Sequence, residues 1–300
     1  MRPVLAAVLI LTAAVSACGA NAAPKKADAA PQAAATPAIH ACGKGGAAPR
    51  RYDHVVWIVM ENKSYSDLVG SSPDSAFTRS LGAACGAATN FHAETHPSLP
   101  NYIAMTSGST HGIQDDAGPS SHPLKGPSIF SQLGSHWRAL QESMPKPCLR
   151  AATTLYAPKH NPAAYYTSIA AACSKQDVRL GATPDLSARF TFITPNLCHD
   201  SHSCSLRTGD RYLAGLVPKI VNSSEYRAGK TAVFLTYDED DGSSSNHIPT
   251  LVISPYTKPG TRSATRFTHY SMLRTTEDML GLAHLGGAKK APSMRAAFGL

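Results

Sequence analysis

A serine set between two prolines is the most suggestive chemical group in the chain. In Thr95-His96-Pro97-Ser98-Leu99-Pro100-Asn101-Tyr102 the prolines restrict the backbone, and the apolar run that follows reads as a helix starting near Ser98. Such a start turns unpaired amides and the positive end of the helix dipole toward an anion, and a phosphate would suit it. A serine hydroxyl becomes a nucleophile only with a base, a lowered pKa or a metal beside it. The plainer reading of Ser98 is a helix cap, since serine before an apolar turn is a common start signal.

Three polar clusters offer partners for that hydroxyl. Glu61 and Asn62 follow one apolar run, His199, Asp200 and His202 follow a second, and Asp238, Glu239, Asp240 and Asp241 follow a third. Each alone reads as a solvated loop, and the second as a disulfide-pinned turn. Four successive carboxylates repel one another unless a cation or solvent relieves them. Glu61, Asn62, Asp238 and Glu239 present only oxygen donors, which suits a hard divalent cation such as Mg, Ca or Mn, while nearby histidines admit Zn. A cation held by Glu61 and Asp238 is the candidate activator of Ser98. His96, His160 in KHNPAAYY and His269 in THYSMLRTTE lie at loops or helix starts, where they serve either the site or the surface.

The elements that must position these groups are legible as runs. HVVWIVM (His54 to Met60), FTFIT (Phe190 to Thr194), TAVFLTY (Thr231 to Tyr237) and TLVIS (Thr250 to Ser254) are near-continuous apolar strands, the pattern of a parallel sheet covered on both faces. Helices are predicted over Ser128 to Ser143, Asn161 to Ala172, Gly209 to Ile220 and His269 to Leu282. This alternation predicts an α/β layer fold. Ligands of open α/β sheets sit beyond the carboxyl ends of the strands, where the three clusters would converge.

Composition supports one folded domain behind an export segment. The 300 residues are 43% hydrophobic and 16% charged, too apolar for a disordered chain. The net charge of +8 is dispersed in single residues and pairs, which argues against a nucleic-acid tract and suits small anions. Val4 to Val15 behind Arg2 reads as a signal peptide over 1–18, ending in Val15-Ser16-Ala17-Cys18, a lipobox-like sequence. Lipidation at Cys18 would anchor the chain at the outer face of the membrane; cleavage near Ala20-Asn21-Ala22 would free it. The Ala- and Pro-rich stretch 19–50 reads as a tether, and 51–300 as the catalytic domain. Without Cys18, six cysteines remain, an even set for an oxidising compartment. Local spacing favours Cys198 with Cys204 and Cys148 with Cys173.

The ordered motifs ENKSYSDLVG, THPSLPNYIAMTSG, KHNPAAYY, Asn196 to Asp210, YDEDDGSS and PTLVISPYTKPG onward to TTEDMLGL resemble the bacterial phosphoesterase family of acid phosphatases and phospholipases C. The resemblance implies a three-layer α/β/α sandwich with a mostly parallel central sheet, as in the alkaline phosphatase-like superfamily. It implies that Glu61, Asn62, Asp238 and Glu239 bind a divalent metal, that Ser98 is the nucleophile and that Asn101 contacts a phosphate oxygen. His96, His160, Asp200, His202 and His269 would surround it. Asp238-Glu239 stands where two-zinc members carry Asp-His, and His199-Asp200-Ser201-His202 where the family has Asn-Asp-Met-His. The expected activity is exported, metal-dependent acid phosphatase action on a phosphorylated small molecule or phospholipid headgroup, by a monomer with no nucleic-acid partner. The alternatives are a phosphodiesterase of phospholipase C type and a non-catalytic metal- or phosphate-binding lipoprotein.

Overall fold

Continuous apolar stretches become the middle of the sheet because both faces of each strand are covered. In the computed structural model, which describes residues 41–69 and 72–300, the strands are β1 (His54–Met60), β2 (Gly86–His92), β3 (Trp137–Gln141), β4 (Asp177–Arg179), β5 (Phe190–Thr194), β6 (Thr231–Tyr237), β7 (His247–Ile253), β8 (Thr261–Ser263) and β9 (Phe267–Thr268). Their order is β4-β3-β5-β1-β6-β7-β2-β8, with β9 also beside β2. Only β7 runs against the others. Every residue of β5 and β6, and every residue of β1 after His54, is buried.

Alternation along β1 shows the layers. Trp57 donates from Nε1 to Thr276 Oγ1 at 3.0 Å in the helix His269–Leu280. Met60, of opposite parity and so on the other face, lies against Gly209 in the helix Leu206–Val221. Ser98–Ser107 packs on His269–Leu280, and Ala76–Ala84 packs on Leu206–Val221. The result is the expected α/β/α sandwich.

Register then delivers the chemistry. Met60 pairs with Tyr237 across β1 and β6, so the next residues, Glu61 and Asp238, leave the sheet side by side. The amide of Glu61 donates to Asp200 O at 2.9 Å, which brings the loop after β5 to the same end.

Two expected helices take other forms. Within 128–143 the helix covers only Ile129–Leu133, stops at Gly134 with φ 61°, and gives way to β3. Pairing of β3 with β5 overrides the helical pattern there. Within 161–172 two 3₁₀ turns, Pro162–Tyr165 and Thr167–Ile169, precede the helix Ala170–Gln176.

The disulfides are Cys42–Cys85, Cys148–Cys173 and Cys198–Cys204, so both pairings favoured by spacing form. The first corrects the extent of the tether. Cys42 is bonded to the domain, Gly43 N donates to Thr257 O at 2.9 Å, and Arg295 holds the carbonyls of Pro49 and Arg50. Residues 41–50 therefore belong to the folded domain. The signal segment, Cys18 and the rest of the tether lie outside the described residues.

Asp177, at the start of β4, is a buried carboxyl. Its Oδ2 accepts from Asn161 Nδ2 at 2.7 Å, its Oδ1 has no partner, and burial raises its pKa to about 7. The folded chain therefore holds this proton more tightly than the unfolded chain, whose Asp titrates near 4, so stability falls as pH rises between those values. The cost above pH 7 is at most about 4 kcal/mol. Asp177→Asn is expected to gain stability at pH 8 and little at pH 4, read by urea melts at both. An equal effect at both pH values would contradict this assignment.

Candidate active site

Ser98 stands where the clusters meet. Its Oγ lies 3.2 Å from Glu61 Oε2 and 3.2 Å from Glu239 Oε1, although these residues are 37 and 141 positions away in the chain. Ser98 opens the helix Ser98–Ser107, which ends at Gly108. Gly108 has φ 75°, and a Cβ there would strike Leu285 O at 2.4 Å, so only glycine fits.

Local conformation aims the oxygen donors. Asn62 adopts φ 44°, a left-handed geometry that asparagine tolerates. Its amide donates to Asp238 Oδ1 at 3.0 Å and its Nδ2 to Glu239 Oε1 at 2.9 Å. Cys198–Cys204 closes the loop that carries Asp200 and His202. His202 N donates to Asp200 Oδ1 at 2.8 Å.

The acids raise one another's pKa. Burial first, then the charges of Asp238 and Asp200, push Glu61 well above the usual carboxylate range, although Tyr102 donates its hydroxyl to Glu61. Burial followed by Asp238 raises Glu239 to about 8, burial raises Asp200 to about 7, and burial raises Asp238 despite donors from Asn62 and Ser98. Among the described residues, Asp238 Oδ2, Asn62 Oδ1 and Asp200 Oδ2 are buried without hydrogen-bond partners. Orphaned oxygens beside crowded acids are what a cation would satisfy, and an all-oxygen donor set fits a hard divalent one.

These carboxylates surround the hydroxyl and do not clasp one point. Among the described residues, the one group of three His, Cys, Asp or Glu ligand atoms within 4.8 Å of one another is Cys148, Cys173 and Asp177. Its sulfurs are joined in a disulfide, so it offers no thiolates.

The histidines divide by burial. His96 has a side chain 46% exposed, with Nδ1 2.8 Å from Glu239 Oε2 and Nε2 3.1 Å from Asp240 Oδ1. His202 is exposed, and its ring centre is 6.3 Å from that of His160. Burial, then the charges of Lys159 and Lys63, lower the His202 pKa. His160 is buried against Tyr102, with Nε2 3.2 Å from Glu61 Oε1 and Nδ1 3.6 Å from Asp200 Oδ2. Burial holds it neutral, and Lys159 and His202 add to that effect.

Two expected site residues are braced by the protein's own backbone. Asn101 was assigned to phosphate by the motif; its buried side chain braces the loop before Ser98, and its Nδ2 also lies 3.4 Å from Glu239 Oε2. Its Oδ1 accepts from the amides of Glu94 and Thr95 at 3.0 and 3.1 Å, and its Nδ2 donates to Thr95 O at 2.7 Å. Asn101 shapes the loop that presents His96 and Ser98. His269 was expected among the residues around the site; burial lowers its pKa to about 4 and its Nε2 lies 2.7 Å from Asp238 O. A neutral ring there fixes the backbone that carries Asp238.

Three residues went unread in the sequence. Tyr102 lies four residues after Ser98, on the same helix face, a signal that was available. Lys159 precedes His160 in KHNPAAYY. Asp116, in an irregular loop, accepts from Leu99 N at 3.0 Å and from Lys159 Nζ at 2.8 Å.

Comparisons with known proteins agree with this architecture. A model of the Phosphoesterase family matches residues 82–283. The chain is 31% identical over 264 residues to a phosphatidylinositol-3-phosphatase of Mycobacterium tuberculosis, covering 85% of this chain and 86% of that one. It is 29% identical to an acid phosphatase of Aspergillus fumigatus, covering 77% of this chain and 55% of the relative, so it spans about half that protein's length. Among solved structures, a protein of the alkaline phosphatase superfamily from Vibrio parahaemolyticus superposes with a TM-score of 0.55 at 13% identity, over 83% of this chain and 72% of that one. That likeness concerns the fold.

Proposed function

The chain belongs to the Phosphoesterase family and is a phosphoric ester hydrolase, and from that premise we propose that it is an exported, metal-dependent acid phosphatase that forms a phosphoserine on Ser98. The observation that carries the proposal is the Ser98 hydroxyl at a helix start, 3.2 Å from carboxylates of both Glu61 and Glu239.

Glu61, Asn62, Asp238 and Glu239, with Ser98, would hold the divalent cation. When bound, it supplies positive charge that favours an ionised serine and steadies charge on the phosphoryl group. The chain's own groups do the rest. With the cation bound, Glu61 and Glu239 would be held ionised, and they are the nearest acceptors for the Ser98 proton. Ser98 Oγ forms a bond to phosphorus as the bond from phosphorus to the ester oxygen breaks. His96 or His202, at the exposed mouth, protonates the departing alkoxide. Water then attacks the phosphoserine, releasing inorganic phosphate and restoring the serine hydroxyl. The lowered His202 pKa means that its charged form is populated in acid, consistent with an acidic optimum.

Export is supported by the three disulfides, which persist in oxidising compartments, and by the signal-like start of the sequence. No helix among the described residues is long and apolar enough to cross a membrane. The reading is of a monomer attached through lipid on Cys18 or secreted, with a catalytic domain reaching back to Cys42. The substrate is a phosphomonoester, on a small molecule or on a lipid headgroup as in the name of the Mycobacterium tuberculosis relative.

Initial rates on an aryl phosphomonoester and its matched diester, between pH 4 and 8, test the class. The monoester is expected to be hydrolysed at least about tenfold faster, with the maximum below pH 7 where histidine carries its proton. A diester rate equal to or above the monoester rate would favour the phospholipase C type.

A further inference from the structure

The helix that begins at Ser98 already holds an anion at its start. Pro97, the residue before it, has no side chain able to cap the helix. The acceptor comes instead from 17 residues downstream, where Asp116 Oδ1 takes the Leu99 N–H at 3.0 Å. The other oxygen of the same carboxylate takes Lys159 Nζ at 2.8 Å. One carboxylate thus lies between a main-chain donor adjacent to Ser98 and a lysine adjacent to His160. A phosphoryl oxygen arriving at Ser98 needs these same kinds of donor.

Lys159 faces the centre as well as Asp116. Burial works against its charge, but its hydrogen bond to Asp116 and the fields of Glu61, Asp116 and Asp238 outweigh that and raise its pKa. Asp116 in turn contributes to the raised pKa of Glu239. The Asp116 side chain is 33% exposed and sits in a loop without regular structure, so it has solvent to move into. A phosphate dianion beside an unmoved Asp116 would meet like charge at short range, whereas exchange leaves Lys159 and the Leu99 amide paired with phosphate.

We propose that Asp116 is an internal stand-in for substrate phosphate, and that Lys159 and the Leu99 amide form a phosphoryl-oxygen cradle that exchanges it for the incoming anion. The proposal rests on Ser98 being the reacting residue, and it makes Lys159 and Asp116 determinants of phosphate affinity. Release of product is then assisted by return of Asp116 to the cradle.

The test is titration of the full-length, cation-loaded protein with inorganic phosphate by calorimetry, beside inhibition of turnover by the same ion. Asp116→Asn keeps an oxygen to accept from Leu99 while removing the charge. It is expected to tighten phosphate binding by about tenfold and to lower KM for a phosphomonoester with it. Lys159→Met is expected to weaken phosphate binding by about tenfold, and thermal melts check that both variants fold. Phosphate affinity within twofold of wild type in Asp116→Asn would mean that Asp116 is only a cap, and weaker binding would mean that it helps to hold phosphate; either overturns the proposal. Calorimetry reads the cradle whichever residue carries the chemistry, so failure here is distinct from failure of Ser98 as the nucleophile.

Discussion

Replacing Ser98 by alanine is expected to lower turnover at least about 10⁴-fold while leaving the melting temperature within a few degrees of wild type. The size follows from the role: among the described residues, no other hydroxyl stands at the helix start with both Glu61 and Glu239 within 3.2 Å. The small structural effect follows from the cap, because Asp116 and not Ser98 accepts the Leu99 amide. A helix-capping serine would give the reverse pattern, with lost stability and retained activity. Steady-state rates and thermal melts on the same preparations separate the two.

Removal of divalent cations is the second large effect. Chelation is expected to reduce turnover by about 10³-fold or more, with recovery on adding back one hard cation. It should also change stability in a pH-dependent way. Without a cation, Glu61, Asp200 and Glu239 hold protons more tightly folded than unfolded, with Asp200 near 7 and Glu239 near 8. The stripped protein therefore loses stability as pH rises through that range, and a cation that binds the ionised acids recovers it. At about 100 times its dissociation constant, the cation adds about 2.7 kcal/mol, or several degrees in melting temperature. The gap between loaded and stripped protein should be wider at pH 8 than at pH 5. Full activity after chelation, with no change in melting at either pH, would contradict the metal assignment.

Much of the sheet was readable because burial on both faces leaves strands β1, β5 and β6 as unbroken apolar runs, and their ends fall where the runs stop. The acids that follow were readable for a related reason: carboxylates crowded after a buried strand require an explanation. β2, with the sequence Gly-Ala-Ala-Thr-Asn-Phe-His, was not visible, since its strand state comes from pairing with β7 and β8 and not from its own residues. β3 was hidden inside a helical pattern for the same reason.

Roles were harder to read than positions. Asn101 and His269 occupy the motif places expected of them, and their side chains also brace the loop before Ser98 and the backbone of Asp238, which the motif does not reveal. No spacing rule links Asp116 to Leu99 or Lys159 to Asp116, because those contacts depend on how an irregular loop folds back over the helix start.

The most direct measurement is acid-quenched single turnover with a phosphomonoester labelled on phosphorus, followed by proteolysis and mapping of the labelled peptide. Label is expected on the peptide containing Ser98, formed before inorganic phosphate appears and absent from Ser98→Ala. Stoichiometric phosphate release with no label on Ser98 at any quench time, or label on another residue, would contradict the account.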